Sequence, residues 1–252
     1  YSQSGTFTHN GGTMKFNYAG NQKILATTSF DNLIIDGDGG TKEFQALTIA
    51  GDLDVTASDT FKSDNGTEAL TVGGDVTVSG TLGSGETGAF EFGSLTIASG
   101  GTYIATSGTT TITGESSGGY AINDDGMLTP NGGTIEITTP ETTNIDPTGG
   151  GSGAIGVYHN LILNPSDGSS DIYLQGHLTL TGNLTIKSGG GEGAVFRSNA
   201  KNVVIDGIVT NEGGTITAGS DNMTLGGIRN LGAYTGTGTL TITGTGGIIE
   251  GN

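Results

Sequence analysis

Short alternations of apolar and polar residues recur along this chain. They include "LDVTA" at Leu53–Ala57, "LTVGGDVTVSGTL" at Leu70–Leu82, "HLTLTGNLTIKSG" at His177–Gly189 and "TLTITG" at Thr239–Gly244. A period of two marks strands with one buried face. Many of the strands are very short, and pairs of them flank a Gly-Asp or Gly-Asn corner, as in "LTIAGDLDV" and "LTLTGNLTI". Such dipeptides also favour hairpin turns, but a meander needs longer, paired strands. The segments return every 15 to 25 residues, near Leu33, Leu47, Leu70 and Leu95 and again near Leu161, Leu178, Val203 and Met223. That rhythm predicts a solenoid: an all-β parallel β-helix of ~20–25 residues per coil, ~10–12 coils and roughly 50–60 Å of rod.

In such a coil Leu, Ile, Val and Phe point inward and stack on their equivalents, while Thr lines the walls, where β-branching suits the pleat. Asn32 and Asn160 precede "LII" and "LIL" at matching places. Asn tolerates a left-handed corner, and stacked Asn side chains are expected to form a hydrogen-bonded ladder.

A longer repeat overlies the short one. "GTFTHNGGTMKF" at Gly5–Phe16 returns as "GMLTPNGGTIEI" at Gly126–Ile137. "FDNLII" (Phe30–Ile35) returns as "YHNLIL" (Tyr158–Leu163), and "ALTIAGDLDV" (Ala46–Val55) as "HLTLTGNLTI" (His177–Ile186). "SLTI" at Ser94 matches "NMTL" at Asn222, and "GTTTITG" (Gly108–Gly114) matches "GTLTITG" (Gly238–Gly244). The order is kept and the offset drifts only between 121 and 131 residues. This reads as two tandem homologous copies, 1–119 and 120–252. All four prolines (Pro130, Pro140, Pro147, Pro165) and "TGGGSG" at Thr148–Gly153 fall near the junction. Strand-like "GTIEI" and "GVYHNLIL" there favour one continuous rod with long loops over a flexible linker.

Composition fits this reading. Gly supplies 50 of 252 residues, and each costs roughly 0.5–1 kcal/mol in a helix interior, which argues against an α-rich fold. Net charge is -17, and Leu, Ile, Val and Phe together number 56, close to the level of disordered chains, but a disordered chain has no reason to keep a two-residue phase. Eight basic residues against 25 acidic ones supply no cationic footprint for nucleic acid or anionic membrane. No apolar run approaches the ~20 residues of a membrane span. The absence of Cys leaves the redox compartment open. A start at Tyr1 is expected for a processed chain or an excerpt of a longer one.

The motifs "GTFTHNGGT", "F-x-N-L-x-I" and "LTVGGDVTVSGTL" resemble the Gly/Thr/Asn-rich repeats of prokaryotic and phage surface proteins: adhesins, large envelope repeat proteins, and virion fibre or decoration proteins. The resemblance covers most of both copies. It implies right-handed β-helices located outside the cell or on a virion surface, and it supplies no catalytic residues.

Parallel β-helices also carry polysaccharide lyases and hydrolases, which use paired carboxylates, often with Ca²⁺ and a basic residue. Asp36 and Asp38 in "DGDGGT" are the best local pair of hard oxygen ligands, against the plainer reading of an acidic turn. "SDNGTE" at Ser63 and "NDDG" at Asn123 are weaker versions. Between copies Asp36 meets Asn164, Asp38 meets Ser166, Asp52 meets Asn183 and Asp54 meets Thr185. His9 meets Pro130, His159 meets Asp31 and His177 meets Ala46, so candidate acids and bases are not shared while Gly, Asn, Thr and apolar positions are. The three histidines lack zinc spacing. Arg197 and Arg229 read as surface groups, and "GGGEG" and "TGGGSG" lack the Lys of a phosphate loop. Asn65, Asn183 and Asn222 stand in N-x-Thr sequons, relevant only in a host that glycosylates exported proteins.

The expectation is therefore a non-catalytic building segment of an extracellular fibre or adhesin, with no catalytic, metal or cofactor residues. Its ends would be covered by further repeats, flanking domains or copies of itself joined end to end. Its walls could meet surface glycans or a host surface. A virion fibre or decoration protein and a carbohydrate-active enzyme are the alternatives.

Overall fold

The computed structural model describes residues 10–25, 29–149, 155–167, 170–188, 193–229 and 233–244. His9, most of the Gly runs at Thr148–Gly153 and Gly189–Gly193, and the closing "GGIIEGN" lie outside these.

The period-two segments form strands, 28 of them among the described residues, with no helix. They wind into a parallel β-solenoid of about 10 turns, roughly 50 Å long at ~4.8 Å per turn. Each turn visits three faces in a fixed order. Thr13–Phe16 opens face one, Gln22–Ile24 face two and Ser29–Phe30 face three, and Asn32–Ile35 returns to face one, paired in parallel with Thr13–Phe16. On face one the chain stacks Met14, Leu33, Leu53, Val76, Leu95 and Ile122 in register. Every named ladder is parallel, with one isolated antiparallel bridge at Lys187–Gly213. Hairpins are thereby excluded for the described Gly-Asp and Gly-Asn corners.

The interior is a single column of stacked apolar side chains running the length of the rod. Face three contributes Leu47, Leu70, Phe90, Thr110, Ile135, Leu161, Leu184, Val209 and Ile228 as successive partners. Each large apolar residue so buried is worth about 1.5–3 kcal/mol. Thr110 is polar, and its hydroxyl lies 2.6 Å from the buried Tyr103 hydroxyl, so neither is left unsatisfied. The ladders on faces one and three run through residue 119 without interruption: Leu95 pairs with Ile122, and Ile112 with Ile137. On face two the hydrogen-bonded ladder ends at Met127–Thr129 and resumes at Ile155–Tyr158.

The Gly-Asx corners are side-chain-to-backbone ladders. Asn32 Oδ1 accepts the N–H of Asp52 at 2.9 Å, and Asp52 Oδ1 accepts the N–H of Asp75 at 2.9 Å. Asn160 does the same for Asn183, and Asn183 for Ile208, at 2.9 and 2.8 Å. The expected bond from Asn side chain to Asn side chain is thus replaced by one from side chain to the next turn's backbone. The corner Gly follows from this. A Cβ on Gly51 would lie 2.3 Å from Asn32 Oδ1, and one on Gly182 2.3 Å from Asn160 Oδ1.

The matched motifs of the two sequence copies do not sit on the same face. "FDNLII" turns the corner from face three to face one, whereas "YHNLIL" turns the corner from face two to face three. "GTMKF" lies on face one, "GTIEI" on face three; "GTTTITG" lies on face three, "GTLTITG" on face two. These matches step back one face, whereas "SLTI" lies on face one and "NMTL" on face two, one face forward. From Thr13–Phe16 to Thr134–Ile137 the chain makes five full circuits and then crosses two more faces, so the sequence repeat measures five and two-thirds turns.

Candidate functional site

The "DGDGGT" corner is organised by a cation from the chain itself. Lys42 occupies an inward position on face two, in register with Phe61. Its ammonium is fully buried, donating to Gly39 O at 3.0 Å and to Asp59 Oδ1 at 3.1 Å. Asp59, also buried, accepts the Gly37 N–H at 2.8 Å and the Thr56 hydroxyl at 3.3 Å through Oδ2. Asp36 turns away from this centre: it pairs with Lys15 and accepts the Thr56 hydroxyl at 3.1 Å. The hydrogen bond from Lys15 holds the Asp36 carboxyl below its ordinary range. Asp38 is exposed in a left-handed conformation, φ 54. Asp36 holds Lys15 by a hydrogen bond while Asp38 acts on it through charge alone, and the turn's carbonyl is already served by Lys42. Sequence reasoning missed Lys42 because a lysine in a strand reads as outward-facing; its phase with Phe44, two residues on, was the available signal.

The other acidic turns are also self-contained. Glu68 accepts from the Ser63 hydroxyl, from Asn65 N at 3.1 Å and from Asn65 Nδ2 at 2.8 Å. These bonds, the Ser63 hydroxyl foremost, hold its carboxyl down at about 2. In "NDDG", Asp124 is buried and receives the Gly126 N–H at 3.1 Å. Burial pushes its carboxyl up to about 6. Among the described residues, no three His, Cys, Asp or Glu side chains gather into a metal-binding group.

The described basic candidates with contacts serve the walls and corners. Arg197 Nε donates to Asp171 at 2.9 Å, and its guanidinium lies 5.5 Å from the Tyr173 ring centre. The Tyr173 hydroxyl donates to the same carboxylate at 3.1 Å. His177 Nδ1 accepts the Asn202 N–H at 2.9 Å, doing at its corner what Asn160 does at its own. His159 Nδ1 lies 2.8 Å from the Thr181 hydroxyl. Of the sequons, Asn183 and Asn222 each receive a backbone N–H from the next turn. The corner between faces three and one carries an open groove of about 380 Å³ lined by Thr138, Asn164, Ser166, Lys187 and Glu212. Lys187 and Asn164 both engage Glu136 there, at 3.5 and 2.8 Å. None of its lining residues is aromatic, so it offers no stacking platform for a sugar ring.

The two ends differ from the walls. Thr13–Phe16, Gln22–Ile24 and Ser29–Phe30 each have one ladder partner among the described residues, and so do Ala233–Gly236 and Leu240–Ile242. The inward side chains that are only partly buried are found there: Met14 at one end, and Tyr234, Leu240 and Ile242 at the other. Among the described residues the core is thus continuous within the rod and less fully covered at its first and last strands.

In comparisons with known proteins, no family model, no curated protein and no solved structure matches this chain.

Proposed function

We propose that this chain is a non-catalytic structural segment of an extracellular fibre, filament or surface adhesin, and that it associates end to end. One observation carries the reading. Among the described residues, the first and last layers present strand edges with a single partner and partly buried apolar side chains that a further layer would bury, as Met14 and Leu240 show. Open edges of this kind template the addition of another strand. A head-to-tail contact that does not close produces an open filament. The acidic corners support the same reading, since their carboxylates are engaged by backbone, hydroxyl and ammonium groups of the fold. The Thr-rich, acidic walls give solubility and a surface for glycan or host contacts.

Sedimentation velocity over a wide concentration range, with negative-stain imaging, tests the reading. End-joined rods lengthening with concentration are expected. Isolated short rods at all concentrations would overturn it, and side-by-side trimers would favour a virion fibre.

A further inference from the structure

The junction between the two copies inside the chain is itself a covered end. Copy one closes on "GTTTITG", whose strand Thr109–Ile112 lies on face three. The strand of copy two that matches "GTMKF", Thr134–Ile137, stacks directly upon it. The register is Thr109 with Thr134, Thr110 with Ile135, Thr111 with Glu136 and Ile112 with Ile137. Copy two closes on the matching "GTLTITG", whose strand Leu240–Ile242 lies on face two and pairs only with Met223–Leu225 among the described residues. The matching strand of copy one, Thr13–Phe16 of "GTMKF", pairs only with Asn32–Ile35 among the described residues.

We infer that Leu240–Ile242 of one chain pairs in parallel with Thr13–Phe16 of a second copy, in the register of the internal junction. This rests on the end-to-end reading above and adds its register and rotation. Thr239 then lies beside the second copy's Thr13, Leu240 beside its Met14, Thr241 beside its Lys15 and Ile242 beside its Phe16. The phases agree. Leu240, Ile242, Met14 and Phe16 all face inward, and Thr241 and Lys15 are both exposed. The contact covers the partly open apolar side chains of both ends, and the strand polarity is that of every ladder in the rod.

The register fixes a rotation. Face one of the second copy continues face two of the first. Inside the chain, "GTIEI" already lies one face back from "GTMKF", on face three instead of face one. The next chain begins one face further back, on face two. Successive sequence copies therefore follow one uniform screw, and three of them present the same motif on all three faces.

The chain contains no Cys, so single cysteines report the contact without background. Thr241→Cys and Lys15→Cys lie on exposed wall positions, and circular-dichroism melts check that each variant folds like the parent. A short bis-maleimide is added to each variant alone, to their mixture, and to Thr241→Cys mixed with the inner-layer control Thr60→Cys. Dimer formation is expected in the Thr241→Cys and Lys15→Cys mixture only, with a ladder of multimers from the double variant. If the parent sediments as a monomer throughout, the end-to-end reading itself fails. If it associates but cross-links form between like ends, or not between positions 241 and 15, the register is overturned and the end-to-end reading stands.

Discussion

Asn160 Oδ1 accepts the backbone N–H of Asn183 across one turn of the solenoid, at 2.9 Å, and a Cβ on the intervening Gly182 would stand 2.3 Å from that oxygen. The bond and the glycine are one device. The short polar side chain reaches the next turn because the corner below it carries no side chain.

Gly182→Ala should therefore destabilise by about 1–3 kcal/mol through overpacking. Asn160→Ala, which loses one partly exposed hydrogen bond, should cost about 0.5–1.5 kcal/mol. Asn160→Asp keeps the acceptor and should cost less. Urea unfolding midpoints measure all three, and an unchanged midpoint for Gly182→Ala would remove the close-approach argument.

The buried Lys42–Asp59 pair makes the front of the rod sensitive to single substitutions. Lys42→Met leaves Asp59 charged and buried, so a loss of about 3–5 kcal/mol is expected. Asp59→Asn keeps an acceptor for Gly37 N–H and should cost less than Asp59→Leu, which keeps none. Equal losses for Asn and Leu would show that the Gly37 bond carries no weight.

Because Asp36 pairs with Lys15 and the "DGDGGT" turn closes on Lys42, millimolar Ca²⁺ is expected to leave the melting temperature unchanged. A rise in Tm with Ca²⁺ that Asp36→Asn abolishes would identify a site there after all.

Asp124 gives a pH dependence of definite sign. Its folded carboxyl is raised by burial to about 6 from an ordinary value of 3.8. The unfolded chain therefore releases its proton first. The stability Asp124 contributes is full below about pH 4 and is lost as pH rises to about 6. Asp124→Asn should remove this decline and raise stability at pH 7 by about 1 kcal/mol, allowing for solvent screening. Denaturation at pH 4, 5, 6 and 7 reads the slope; identical slopes in parent and variant would contradict the assignment.

Tyr103 and Thr110 form a buried couple. Thr110→Val alone removes the side-chain partner of the tyrosine hydroxyl, which keeps its bond to the Thr106 backbone, and should cost about 0.5–1.5 kcal/mol, whereas Tyr103→Phe with Thr110→Val should come close to neutral. A double-mutant cycle without coupling would mean that another group satisfies Tyr103.

Much of the architecture was legible because the physics is local. Alternation in "LTIAGDLDV" gives two strands with inward Leu, Ile and Val, and the Gly-Asp between them gives the corner. The comparison of copies was read too strictly at one point. Asp52 against Asn183 looked like a lost acid, yet both side chains accept the next turn's N–H at 2.9 and 2.8 Å. What the copies share there is an acceptor oxygen at fixed reach, and Asp and Asn supply it equally. Lys42 escaped for the opposite reason, since its burial depends on Asp59, 17 residues away and one turn on.

The sequence by itself determined that strands are short, that corners recur, that the interior is apolar and that the pattern is written twice. It did not determine which face each motif occupies. Turns vary between 17 residues, from Met223 to Leu240, and 29, from Ile145 to Leu174, because corner loops lengthen without disturbing the ladders. Face assignment is the accumulated sum of those lengths, and no local pattern records it. Only the stacked backbone, in which every strand must find a partner one turn away, shows that "GTIEI" lies one face back from "GTMKF".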